Sequence, residues 1–122
     1  MSQLNISTLA NLAGSETTPI ADVVNGSARA WVNFNGTGTV AIRASYNVSS
    51  ITDRGIGRYT VNLTTSMADI NYATLATAQD DDEGSTRTAQ ARQSSVSAYL
   101  ISIENVSGTF VDTENISSCV LR

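Results

Sequence analysis

No histidine and no lysine occur among the 122 residues, and cysteine, proline and tryptophan occur once each. Each absence removes a class of chemistry. Without an imidazole, neither a Ser-His-Asp triad nor a Cys-His pair has a group to take the nucleophile's proton, and without lysine the Ser-Lys variant is gone as well. A single cysteine, Cys119, permits no intrachain disulfide, and the zinc ligand sets built from Cys and His are missing. Basic residues are scarce: seven arginines stand against 11 acidic residues, for a net charge of -4. That balance argues against a groove for nucleic acid, which needs a clustered excess of cations. No stretch approaches the ~20 apolar residues of a membrane span. The opening "SQLNISTLANLAGSETTP" lacks both a basic segment and a continuous apolar segment of a secretion signal. The expectation is a soluble chain without membrane insertion and without cofactor.

What is present is β-forming alternation. Apolar residues make up 41% of the chain, many of them alanine, which suits one domain with a thin core that gains from a partner. Residues 1–26 are apolar only in places, at Leu4, Ile6, Leu9 and Leu12, and Pro19 follows "GSETT". They read as an extended N-terminal arm that packs on something else. Residues 27–122 read as the β domain. From Ala28, the residues Ala30, Val32 and Phe34 fall on one strand face, with Arg29, Trp31 and Asn33 on the other. "NGTG" at 35–38 supplies a hairpin turn. A second strand aligns Val40, Ile42, Ala44, Tyr46 and Val48. "SSITDRGIG" at 49–57 reads as a turn region, and Tyr59, Val61 and Leu63 define a third strand. A fourth is expected at 71–78, an exposed loop at 79–88, a two-faced apolar strand at 96–106, central or at a subunit contact, and a last strand at 116–122. Short strands between Gly, Asn, Ser and Asp turns predict an antiparallel β-sandwich, jelly-roll-like or Greek-key.

Several motifs invite a chemical reading and have a plainer one. Asp53, Asp69, Glu104, Asp112 and Glu114 offer carboxylates for glycoside cleavage, but all except Glu104 lie in turn-like composition. "DDDE" at 80–83 has clustered oxygens but not the EF-hand spacing, so a solvated loop tip is the better reading. "GTGTVA" at 36–41 matches a dinucleotide fingerprint, yet runs into a strand where a helix should begin. Seven N-x-[ST] matches reflect a composition rich in Asn, Ser and Thr. The remaining candidates are surface residues: Arg29, Trp31, Asn33, Arg43, Arg54 and Arg58. Arginine's planar fork suits carboxylate or phosphate, although solvated charges are the ordinary case. Tyr46, Tyr59, Tyr72 and Tyr99 are candidates for sugar stacking or subunit contacts, with core packing the more ordinary reading. Trp31, opposite the alanine-rich face, either covers an interface or is exposed for binding.

The stretch "ARAWVNFNGTGTVAIRASYNVSSITDRGIGRYTVNLTTSMADINYA", with its A-[KR]-A-W-V-N-F-N-G-T-G core, N-V-S-S-I-T-D, G-x-Y-x-V and N-Y, resembles a segment recurring in tail-fibre and related virion proteins of tailed bacteriophages, particularly marine and cyanobacterial ones. The leaders "LNISTLAN" and "TPIADVVNGSA" and the ending "ENISSCVLR" fit the same pattern. The likeness thins out between 78 and 96, and "SMADINY" lacks the proline that relatives usually carry before the acidic residue. The resemblance implies a non-enzymatic virion structural protein, a homotrimer, on the tail or capsid surface. In such a particle the arm would bind another virion protein and the exposed turns a host cell-surface glycan. A capsid decoration or head-fibre protein of the same fold is the alternative that the resemblance leaves open.

Overall fold

In the computed structural model, which describes residues 2–81 and 84–122, the arm is not a featureless extension. It folds as a small hairpin of β1 (Thr8–Ala10) and β2 (Thr17–Pro19), followed by the helix α1 (Ile20–Gly26). Asn11 closes the hairpin loop, its side-chain oxygen accepting the Ser15 amide at 3.0 Å. Pro19 sets up the helix entry, where a missing N–H costs nothing. Leu4, Ile6, Leu9 and Leu12 remain exposed throughout.

Eight further strands follow: β3 (Ala28–Asn35), β4 (Ala41–Tyr46), β5 (Val48–Asp53), β6 (Arg58–Leu63), β7 (Ala73–Gln79), β8 (Arg87–Ser95), β9 (Ala98–Asn105) and β10 (Asn115–Leu121). They form two antiparallel sheets, ordered β4-β3-β10-β7 and β5-β6-β9-β8. The neighbours β3 and β10, β10 and β7, and β6 and β9 are distant in sequence, so crossing connections tie the layers together. The protein is an all-β sandwich, as the turn spacing predicts. The first layer is termed the Trp31 sheet and the second the Arg58 sheet.

Between the layers lies one apolar cluster. Ala30, Val32 and Phe34 of β3 and Ile116 and Val120 of β10 meet Tyr59, Val61 and Leu63 of β6 and Tyr99, Ile101 and Ile103 of β9. Three tyrosines fill the volume that the alanines leave, and each hydroxyl has a partner. Tyr59 donates toward the Gly36 carbonyl and Asp112 Oδ1, both at 3.0 Å. Tyr72 reaches the carbonyls of Ser95 at 2.7 Å and Ala98 at 2.9 Å, and Tyr99 meets Ser118 Oγ at 2.7 Å. Phe34 and Tyr59 pack edge to face, with ring centroids 5.2 Å apart. A phenol buried without such a partner would forfeit about 1–3 kcal/mol of what its burial gains.

The structure corrects four expectations. First, the segment aligned from Val40 to Val48 is not one strand with one inward face. The β3/β4 pairing shifts register between Asn33 and Phe34, and Asn47, at φ 55°, carries the chain from one sheet to the other. Such a shift moves side chains to the opposite face. Val40 and Val48 therefore touch the core while Tyr46 is 58% exposed, against its reading as a core residue. Second, Ser49–Asp53 belong to β5, and the turn is confined to 54–57. Third, the loop read at 79–88 is shorter, since β7 runs to Gln79 and β8 begins at Arg87. Fourth, β8 is a strand that the sequence pattern does not predict. Its inward residues include only Ala89 and Ala91 as apolar contacts with the core, too little to mark a strand by hydrophobicity. The strand expected at 96–106 is β9, interior to its sheet, with Tyr99, Ile101 and Ile103 inward.

Candidate functional site

Two outer sheet faces differ in chemistry. On the Trp31 sheet the register sets Tyr46 opposite Trp31, Trp31 opposite Cys119, and Cys119 opposite Leu75. An apolar row thus crosses all four strands. Trp31 is 41% and Leu75 52% exposed, and a shallow hollow of about 270 Å³ lies along Trp31, Cys119 and Leu75. The polar groups beside this row are largely engaged within the molecule. Asn33 Nδ2 donates to Ser117 Oγ at 2.9 Å, and Arg43 donates to the Glu114 carbonyl at 2.7 Å and to Asn115 Oδ1 at 3.0 Å. Arg29 Nε donates to the Arg122 carbonyl at 3.3 Å. An aromatic centre with a partly engaged polar rim suits packing against protein.

The Arg58 sheet is the opposite case. Arg58 of β6 faces Ser102 of β9, which faces Gln90 of β8; one row on, Leu100 of β9 faces Arg92 of β8. Arg54, from the turn after β5, joins them around a hollow of about 380 Å³ whose floor includes Leu100 and Phe110 and whose wall includes Glu104. The Arg58 guanidinium lies over the Phe110 ring, 5.3 Å from its centroid, a contact that steadies a long side chain. Phe110 is held there by a β-bridge to Glu104. The ion pairs among the described residues join Arg87 to Asp80 and Arg122 to Asp69, so Arg54, Arg58 and Arg92 have no carboxylate partner in that set.

A further hollow, of about 540 Å³, opens where the chain crosses between layers, beside Arg29, Asn47 and Arg122. Asn47 stitches it, donating to the carbonyls of Arg29 and Thr65 and accepting from the Thr65 amide. Four of the carboxylates considered for cleavage chemistry are tied to neighbouring groups. Asp53 Oδ1 accepts the Gly55 amide, and Asp112 Oδ1 accepts the Gly57 amide and the Tyr59 hydroxyl. Asp69 is held below the usual carboxylate range by hydrogen bonds from the Arg122 guanidinium and the Asn71 amide. Glu114 is pushed above it by a hydrogen bond shared with Asp81 and by that neighbour's charge. Of the "DDDE" run, Asp80 pairs with Arg87 and Asp81 with Asn115; Asp82 and Glu83 lie outside the described residues. Among the described residues no group of three or more His, Cys, Asp or Glu side chains is placed to hold a metal ion, and no helix is long and apolar enough to cross a membrane.

The chain matches no family model, no curated protein and no solved structure. The six surface candidates divide between two faces: Arg29, Trp31, Asn33 and Arg43 on the Trp31 sheet, Arg54 and Arg58 on the other. Tyr46, Leu75 and Cys119 complete the first group and Arg92, Gln90, Ser102 and Phe110 the second; apart from Tyr46, none of these is identifiable as a site residue from the sequence. The alternation of Thr88, Gln90 and Arg92 against Ala89 and Ala91 is the one available signal for the β8 members.

Proposed function

We propose that this protein is a non-enzymatic structural component of a bacteriophage virion, of the tail-fibre, receptor-binding type, which attaches the particle to glycans of the host surface. The resemblance in the stretch from Ala28 to Ala73 supplies the virion context. The observation that carries the reading is the row Tyr46, Trp31, Cys119 and Leu75, exposed except at the half-buried Cys119, beside which Asn33 and Arg43 are hydrogen-bonded within the molecule. Burying it against copies of the same chain covers that apolar surface. In a homotrimer the Trp31 sheets face the contacts between subunits, the Arg58 sheets face outward, and the arm grips another virion protein. Three outward copies raise apparent affinity for a repeating glycan by about 10² to 10⁴.

The test has two readouts. Light scattering on the purified chain gives a trimer mass that Trp31→Ala lowers, and the trimer blocks phage adsorption to host cells. A monomer at all concentrations, with unchanged mass in the variant, overturns the assembly. A decoration role on the capsid has the same arm in its favour, with its exposed Leu4, Leu9 and Leu12. It wins if the protein leaves adsorption untouched and instead protects particles against heat.

A further inference from the structure

We infer that the outer face of the Arg58 sheet is a binding site for an acidic saccharide, a sugar bearing a carboxylate or phosphate group, held by Arg54, Arg58 and Arg92. A chain with net charge -4 gathers three exposed guanidiniums around one hollow, and the hollow holds a single carboxylate, that of Glu104. Arg54 and Arg58 flank the β5–β6 turn and the sheet brings Arg92 to them across β9, and their mutual repulsion is uncompensated by any carboxylate pairing among the described residues. A ligand anion supplies the missing charge.

The geometry favours a sugar acid over a bare ion. Arg58 and Arg92 flank β9 on either side, two residues out of register, so their backbones stand about 12 Å apart. Between and beside them β9 and β8 present the Ser102 hydroxyl and the Gln90 amide, a donor and acceptor set that fits sugar hydroxyls. Leu100 and Phe110 give the apolar floor on which the C–H face of a ring rests. Arg58 is already ordered over Phe110, which reduces the entropy lost when it closes on an anion. Glu104 in the wall accepts from a sugar hydroxyl and repels a second phosphate. The site therefore takes an isolated acid group rather than a nucleic-acid backbone, which the overall charge also disfavours. That the saccharide belongs to a host surface rests on the attachment reading; the chemistry of the groove does not.

Calorimetry and amide chemical-shift mapping on the full chain test this, with trigalacturonate as the carboxylate probe, mannose 6-phosphate as the phosphate probe and galactotriose as the neutral control. The expected result is binding of at least one acidic probe, weakened by added salt, with shifts at Ser102 and Gln90 and none from galactotriose. Arg58→Gln and Arg92→Gln each lower that affinity by about tenfold or more, the loss of one charge-assisted hydrogen bond. Both residues are exposed, so the melting temperature stays near that of the parent, and Arg29→Gln on the other sheet leaves binding unchanged. Equal binding of galactotriose, no binding of either acid, or full affinity in both glutamine variants overturns the inference. If the acids do not bind but the protein still blocks adsorption, the groove fails and the attachment reading stands. If the acids bind and adsorption is untouched, the groove stands and the attachment reading fails.

Discussion

Replacing Gly57 by alanine separates two costs that a turn glycine usually combines. Gly57 has φ +64°, and a Cβ there would lie 2.6 Å from the Ile103 carbonyl oxygen and 2.7 and 2.8 Å from the Val111 nitrogen and oxygen. All three are backbone atoms, so no rotamer change relieves the clash. The glycine is also bonded on both sides, its amide donating to Asp112 Oδ1 and its carbonyl accepting from Ile103, each at 2.8 Å. The left-handed backbone costs an alanine about 1 kcal/mol. Pushing β9 and the Val111 segment apart adds about 1–3 kcal/mol, and weakening the two hydrogen bonds roughly 1 more. A total loss of about 3–5 kcal/mol follows. Gly38→Ala is the internal control, since Gly38 has φ +60° with nothing within 4 Å of the added carbon, and it should lose only the first term. Thermal and urea unfolding followed by far-UV circular dichroism read both. At about 4 °C per kcal/mol for a chain of this size, the melting temperature falls by roughly 12–20 °C for Gly57→Ala and roughly 4 °C for Gly38→Ala. Equal losses in the two variants, or a Gly57→Ala loss under about 1 kcal/mol, would refute the argument that backbone contact dominates. Because Gly57 precedes Arg58, the same variant should also lose affinity for the acidic probe before it unfolds.

Tyr99→Phe strands the buried Ser118 hydroxyl and should cost about 1–3 kcal/mol, while Tyr99→Phe with Ser118→Ala should recover most of that loss; a strictly additive double variant in urea titrations would contradict the pairing. Burial, only partly offset by the Ser118 hydrogen bond, raises the Tyr99 pKa from 10.0 to about 12. The unfolded chain then releases this proton first, so stability is full below pH 10 and declines as pH rises toward 12, by roughly 3 kcal/mol for this residue. Tyr99→Phe should shrink that alkaline decline, and an unchanged slope between pH 10 and 12 would count against the mechanism. Tyr72→Phe removes the bridge to the Ser95 and Ala98 carbonyls and should speed hydrogen exchange in the β8–β9 turn with a stability loss of about 1 kcal/mol; unaltered exchange there would show that the turn is held by other means.

β3 and β6 are legible because their inward apolar residues recur at every second position, as in Ala30, Val32, Phe34 and Tyr59, Val61, Leu63, while β9 shows as a two-faced apolar run and β10 as Ile116 and Val120 on either side of the buried Ser118. The absence of histidine and lysine excludes whole catalytic classes without any coordinates, since composition alone decides which protons can be moved. β8 escapes notice because an edge strand lined by Ala89 and Ala91 has little hydrophobic contrast, and its pairing with β9 is a backbone matter that side-chain patterns do not report. Only the tertiary structure decided where Tyr46 points, because the bulge at Asn33/Phe34 is a property of two strands together. It also decided that Arg54, Arg58 and Arg92 share one hollow. Arg54 and Arg58 flank one turn, but the sequence carries no trace of Arg92 joining them, which is set by β9 lying between β6 and β8 in the sheet.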